Sequence, residues 1–385
     1  MMHGRSVVID TDFGTDADDA VAVALALASD EIEVRAFTVV GRQSIYRKQM
    51  LEKFLAAAGT DCAHAPVYAG WDAPPALPAG FSLDAPCAPE AASPSSFPGA
   101  AYGAHLASLC GAQRFSWFGN EGTLDRNTPT RSSSTPQASE ATYEAVEKLR
   151  ALLNRGDTDV VALAPLTNLY QLLTNPHYDA AEVSIPNLTV MGVHLRPTPY
   201  GKEAQTSRDA FVPASADYNL ACDPISTLYV LNELAKPSFT PPARPAIRAA
   251  RWITADVTLK TWLDASQLSK LARSSHPFLR RLVELIEAWT PIMTKRYGHA
   301  VETGNAVFLH DPLALACAFV GDEWCDFQTL HLEPVLTSGY GLRWIEHEAA
   351  APGTIPLTCA VSLKPRATGE TFSDWLVERL LSKFS

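Results

Sequence analysis

The sequence predicts a doubly wound α/β fold on a mostly parallel sheet, and three observations carry that reading. Short strand-like runs alternate with longer helix-like segments of apolar periodicity. The strand-like runs are apolar almost throughout, as strands covered on both faces are. Finally, 47% of the 385 residues are hydrophobic, enough for a large core.

Taken in order, the first strand is Val7-Val8-Ile9, followed by an aspartate-rich turn and a helical segment at 18–28. A second strand at 34–40 and a helix at 44–58 come next. After a long interruption the pattern resumes with a helix at 140–153, strands at 160–164 and 188–192, and a helix at 223–234. The C-terminal part is helical and β: a long helix at 277–297, strand-like runs near 327–335, 340–347 and 356–362, and a closing helix from about residue 370. Residues 72–100 carry seven prolines, and 126–139 are mostly Ser, Thr and Pro. Neither stretch suits a core, so the chain reads as one domain, 1–385, with a Pro/Ala/Ser-rich insertion at about 72–139. Trp71, Phe97, Tyr102, Trp117 and Phe118 give that segment aromatic groups able to cover a bound ring. A second irregular loop, 193–216, follows the strand ending Met191-Gly192 and is expected over the same edge.

A net charge of −11, a pI near 5.4 and no Lys/Arg block argue against nucleic acid or an anionic membrane as partner and favour a small molecule. No apolar run reaches membrane-span length, and Met1-Met-His-Gly-Arg5 runs directly into a strand, so a soluble, cytoplasmic protein is expected. The seven cysteines are scattered without a C-x-x-C pair, which reads as buried thiols and not a zinc site.

The richest chemistry lies directly after the first strand. Asp10-Thr-Asp12-Phe-Gly-Thr-Asp16-Ala-Asp18-Asp19 places five carboxylates in ten positions, at the strand end where ligands bind in such sheets. Two unit charges about 4 Å apart repel by roughly 4 kcal/mol at an effective dielectric near 20. Helix capping accounts for one or two of these residues, not five. A dense, partly buried cluster is therefore stable around a cation, and an all-oxygen donor set suits Ca²⁺ ahead of Mg²⁺.

This loop and three later segments, in order, resemble the nucleoside hydrolase family. The family's D-x-D-P-G-x-D-D-A motif appears in a form two residues longer, with Phe13 in place of proline. Leu163-Ala-Pro-Leu-Thr-Asn168 is similar to its G-P-L-T-N turn. Met191-Gly192 followed by Asp217-Tyr-Asn219-Leu-Ala-Cys-Asp223-Pro224 resembles M-G-G and E-F-N-x-x-x-D-P. Leu309-His310-Asp311-Pro312 resembles the H-D-P segment, and Ala255-Asp256-Val257-Thr258 more weakly the L-D-x-T strand end.

The resemblance implies a Rossmann-like nucleoside hydrolase fold and a calcium-dependent cleavage of a ribosyl N-glycosidic bond. It implies metal ligation by Asp12, Asp19, Asp311 and the Leu163 carbonyl, with Asp12 as general base and His310 as the acid beside the leaving base. Asp18, Asn168, Asp217 and Asn219 would hold sugar hydroxyls, Trp289 and Tyr297 would line the base pocket, and a homodimer or homotetramer is implied. Asp223 would only cap the helix that Pro224 begins.

Departures from the pattern fall on groups that read the base and the 5′ end. Arg42 stands where the family has asparagine, no histidine occupies the H-G-x-x-G position near Phe118–Gly122, and residues 193–216 contain no asparagine. Arg42 therefore becomes a candidate for an acidic or enlarged substituent, or a structural partner of Glu121. Two other readings compete. Asp10-x-Asp12 also resembles the nucleophile loop of haloacid-dehalogenase-type phosphotransferases, but Gly14 stands where that motif needs Thr or Val. A relative that keeps the metal and binds a ribosyl or other sugar without cleaving ordinary nucleosides is the stronger alternative.

Overall fold

The computed structural model describes residues 4–41, 44–59, 65–71, 140–175, 183–195, 219–220, 223–235, 246–297, 304–337 and 341–385. The first half comprises β1 (Arg5–Thr11), α1 (Asp18–Leu27), β2 (Ile32–Val39), α2 (Ser44–Ala57), β3 (Val67–Ala69), α3 (Glu140–Leu153), β4 (Asp159–Ala162), α4 (Thr167–Thr174) and β5 (Leu188–Met191). Then follow α5 (Pro224–Ala235), β6 (Ala250–Ile253), α6 (Ala255–Thr258), β7 (Trp262–Asp264), α7 (Ala265–Ala272), α8 (Pro277–Tyr297) and β8 (Asn305–Phe308). The last elements are α9 (His310–Phe319), β9 (Cys325–Thr337), β10 (Gly341–His347), β11 (Ile355–Leu363) and α10 (Phe372–Lys383).

A nine-stranded sheet runs in the order β10-β9-β11-β6-β5-β4-β1-β2-β3. From β11 to β3 neighbouring strands are parallel, and β9 and β10 add an antiparallel edge. The doubly wound, mostly parallel expectation is met. Alternation along β1 explains the two layers: Val7 and Ile9 enter one core with α1, α2, α8, α9 and α10, whereas Val8 enters the other with α3, α4 and α5. At roughly 25 cal/mol per Å² of apolar area, burying side chains on both faces is the main stabilising term for such a strand.

Helix α1 is Ala, Val and Leu on every side and is buried from Asp18 to Ala26, wedged between the sheet and α9. Its N-terminus therefore cannot sit in bulk water. Asp18 and Asp19 form its first turn and are held inside the protein.

Several short elements escaped the sequence reading. Strands β3, β6, β7 and β8 are three or four residues long, too short for a period to show. The 255–258 segment, expected as a strand end, is a single helical turn directly after β6. The insertion 72–139 and most of the 193–216 loop lie outside the described residues. Among the described residues, no helix is long and apolar enough to cross a membrane. Cys317, Cys325 and Cys359 are free and buried, as expected; the other four cysteines lie outside the described residues.

Candidate active site

The site is built where β1, β4 and β5 end. Asp10 is the last-but-one residue of β1, and its Oδ1 accepts from Thr38 Oγ1 of β2 at 2.6 Å and from Asn168 Nδ2 of α4 at 2.8 Å. Its backbone carbonyl accepts from Leu163 N at 2.8 Å. Asn168 Oδ1 in turn accepts from Trp71 N at 3.0 Å, so one amide joins the ends of β1 and β3. Gly70 makes this possible: a Cβ there would collide with the Asn168 amide and lie 2.6 Å from the Val39 carbonyl oxygen.

The loop beyond Asp12 turns through Gly14, whose φ of +97° an L side chain rarely adopts. Arg47 of α2 pins that turn. Its Nη1 donates to the Asp12 carbonyl, to the Phe13 carbonyl at 3.1 Å and to Thr15 Oγ1 at 2.9 Å. Phe13 itself is buried and packs 5.5 Å, centroid to centroid, from Phe54. The loop is thus fastened on both sides before Asp16 begins the approach to α1.

Beyond the loop, the Thr11 hydroxyl donates to Asp19 Oδ1, and Asp19 Oδ2 is buried with no hydrogen-bond partner. One carboxylate oxygen each from Asp16, Asp18 and Asp19 lies within 4.8 Å of the others. From 293 residues away, the backbone N–H of Asp311 donates to Asp18 Oδ2 at 3.1 Å, which brings the first turn of α9 against that of α1. Asp12, Asp18, Asp19 and Asp311 are all buried.

Electrostatics follow from that crowding. Burial lifts every one of these carboxyls above its ordinary range, and repulsion from neighbouring carboxylates adds to it at Asp18, Asp19 and Asp311. Asp18 is pushed up to about 6 by burial and the charge of Asp19, against opposing hydrogen bonds. Asp19 is raised well above the usual range by burial and then by Asp12 and Asp16. Asp311 is raised likewise by burial and then by Asp18, Asp19, Asp16 and Asp12. Burial also raises Asp12, against the opposing charge of Arg47. Asp10 reaches about 7, through burial that the Thr38 and Asn168 hydrogen bonds only partly offset. With clustered, mostly buried carboxylate oxygens and an orphaned Asp19 oxygen, the cluster fits a hard dication.

Two further positions frame the pocket. Asn219 Nδ2 donates to the Leu163 carbonyl at 3.0 Å and to the Met191 carbonyl at 3.2 Å, tying β4 to β5 at the strand ends. His310 opens α9, and Thr258 Oγ1 lies 2.6 Å from its Nδ1. The weak 255–258 match therefore supports the histidine. Asp223 caps α5 as expected, its Oδ1 accepting from Ser226 N at 3.0 Å while Thr167 Oγ1 donates to Oδ2 at 2.6 Å.

The remaining expected residues fall partly inside and partly outside the described residues. Asn168 is wholly buried, and its amide is held between Asp10 and the backbone of Trp71. Trp289 is buried in the larger core, packed among the apolar side chains of α8 and its neighbours. Trp71 is anchored directly after β3, its N–H donating to Asn168 Oδ1. Arg42, Asp217 and the side chain of Tyr297 lie outside the described residues. Sequence reasoning missed Arg47, Thr11 and Thr38: no motif marks Arg47 on α2 or Thr38 on β2, and Thr11 is the variable middle residue of Asp10-Thr-Asp12.

Comparison with solved structures gives the same fold. The chain aligns with a plant nucleoside hydrolase at a TM-score of 0.59 and 18% identity, covering 99% of this chain and 98% of that one. A purine-preferring ribonucleoside hydrolase from Gardnerella vaginalis aligns at 0.55 and 18% identity, covering 98% of both. An inosine-uridine preferring nucleoside hydrolase from Bacillus anthracis aligns at 0.56 and 15% identity, over 98% of this chain and 99% of that one. No curated protein matches the sequence. The profile of the family described as inosine-uridine preferring nucleoside hydrolase matches residues 7–379. That match makes the protein an N-glycosyl hydrolase of the nucleoside-ribohydrolase class. The chain belongs to the inosine-uridine preferring nucleoside hydrolase family.

Proposed function

We propose that the protein is a calcium-dependent hydrolase that cleaves the N-glycosidic bond of a ribonucleoside or related ribosyl compound, giving ribose and free base. The observation that carries this reading is the meeting of the two helix N-termini, with Asp311 N donating to Asp18 Oδ2 at 3.1 Å inside a buried carboxylate pocket at the sheet's carboxyl edge. In this reading Asp12, Asp19, Asp311 and the Leu163 carbonyl hold the ion. Bound there, Ca²⁺ would supply the positive charge that makes a nearby water more acidic.

The chain's own residues do the rest. Asp12 accepts the proton of the attacking water, and the surrounding carboxylates stabilise the cation-like sugar of the transition state. Asp18, Asp217 and Asn219 orient the sugar hydroxyls. His310 hands a proton to the departing base, and Thr258 sets the imidazole's orientation through Nδ1, which presents Nε2 to the substrate. Water adds to C1′, the C1′–N bond breaks, and the base leaves with the proton. Arg42 then selects among substituents, favouring an acidic or enlarged one. The same reading takes the chain as one domain, 1–385, with an insertion at about 72–139.

A nucleoside panel incubated with metal-stripped and calcium-reloaded protein tests the proposal. Reducing sugar should appear with calcium and vanish on chelation. Saturable nucleoside binding without sugar release points instead to a sugar-binding relative.

A further inference from the structure

We propose that Asp16 is an additional carboxylate ligand for the bound dication, supplied by the two-residue lengthening of the β1–α1 loop. This rests on the calcium-dependent reading of the same pocket. The ligand set implied by the motif uses Asp12, Asp19, Asp311 and the Leu163 carbonyl and leaves Asp16 without a role. In the fold, however, Asp16 offers an oxygen within 4.8 Å of oxygens from both Asp18 and Asp19. Calcium–oxygen distances are about 2.3–2.6 Å, so oxygens on opposite sides of one ion stand about 4.6–5.2 Å apart. The three oxygens therefore fit within a single coordination sphere.

Two independent features point the same way. Asp19 Oδ2 is buried without a hydrogen-bond partner, while Thr11 fixes the other oxygen of that carboxylate. The turn that delivers Asp16 is also pinned, by Thr15 N donating to the Asp12 carbonyl at 3.1 Å and by Arg47 on the Phe13 carbonyl and Thr15 hydroxyl. Asp16 is partly buried, whereas Asp18 and Asp19 are buried. Calcium tolerates six to eight oxygens in irregular arrangements, and each added carboxylate raises affinity through its charge.

The full chain, stripped of metal, is titrated with calcium chloride by calorimetry and followed by thermal melting, for wild type and Asp16→Asn. The substitution should weaken calcium binding by about tenfold or more and shrink the calcium-induced rise in melting temperature. The metal-free melting temperature of Asp16→Asn should stay level or rise, because one repelling charge has gone. Wild-type affinity in Asp16→Asn overturns the proposal, as does a metal-free melting temperature that falls, which assigns Asp16 to folding. Absence of calcium binding by the wild type overturns the calcium reading itself, and this inference with it.

Discussion

Asn168 holds Asp10 across 158 residues of sequence, its Nδ2 donating to the buried Asp10 Oδ1 at 2.8 Å. Through that bond the end of β1, where the acidic loop starts, is fixed against α4 and against the backbone of Trp71 beside β3. Removing the amide leaves a buried carboxyl and a backbone N–H short of partners, which costs about 1–3 kcal/mol each. Asn168→Ala should therefore lose several kcal/mol in urea unfolding. Gly70→Ala should lose about 1–3 kcal/mol by overpacking against the same amide. Wild-type midpoints in both variants would remove the positioning role.

Arg47 makes three contacts with the loop through one guanidinium. Hydrogen bonds of a charged group contribute about 1.5–3 kcal/mol, so Arg47→Met should cost on the order of 2 kcal/mol of unfolding free energy. Arg47→Lys should restore less than half of it, because an ammonium group lacks the planar fork. Full rescue by lysine would show that charge alone matters.

The raised carboxyls make stability depend on pH with a definite sign. Asp10 titrates near about 7 and Asp18 near about 6 in the fold, whereas an unfolded aspartate titrates near about 4. The metal-free fold thus holds protons that the unfolded chain has released, and this contribution is complete below about pH 4 and lost as pH rises through 6 to 7. Urea unfolding should show the metal-free protein less stable at pH 8 than at pH 5. Saturating calcium, which replaces those protons, should flatten the difference; greater metal-free stability at pH 8 contradicts the account.

His310, held by Thr258, is assigned the proton for the leaving base. His310→Ala should cut the rate on an ordinary nucleoside by roughly 10²–10⁴ while sparing a riboside whose leaving group departs as a stable anion. Equal losses on both substrates would move the histidine out of that role.

Much of this was legible in the chain. Apolar runs such as Val7–Ile9 and Val160–Ala164 disclosed the parallel sheet because strands buried on both faces have little polar alternation. The acidic loop disclosed the pocket because so many carboxylates have no bland explanation. The Asn168–Asp10 bond was not legible, since a polar residue in the first turn of a helix looks the same in sequence whether or not it meets a buried aspartate from a distant strand. Arg47 was invisible because two of its three loop partners are backbone carbonyls, which leave no mark on side-chain spacing. Val193 is a β-branched residue at φ +76° where the resembled motif has glycine, and only coordinates reveal such backbone strain.

In the proposed reaction this buried carboxylate pocket cleaves a ribosyl C1′–N bond with Asp12 as base. The most direct test is ribose release from nucleosides by calcium-loaded wild type and Asp12→Asn, with thermal melting as the control for folding. We predict one ribose per base freed by the wild type and a loss of about 10³-fold or more in a still-folded Asp12→Asn. Undiminished release by Asp12→Asn, or none by the wild type on any nucleoside, contradicts it.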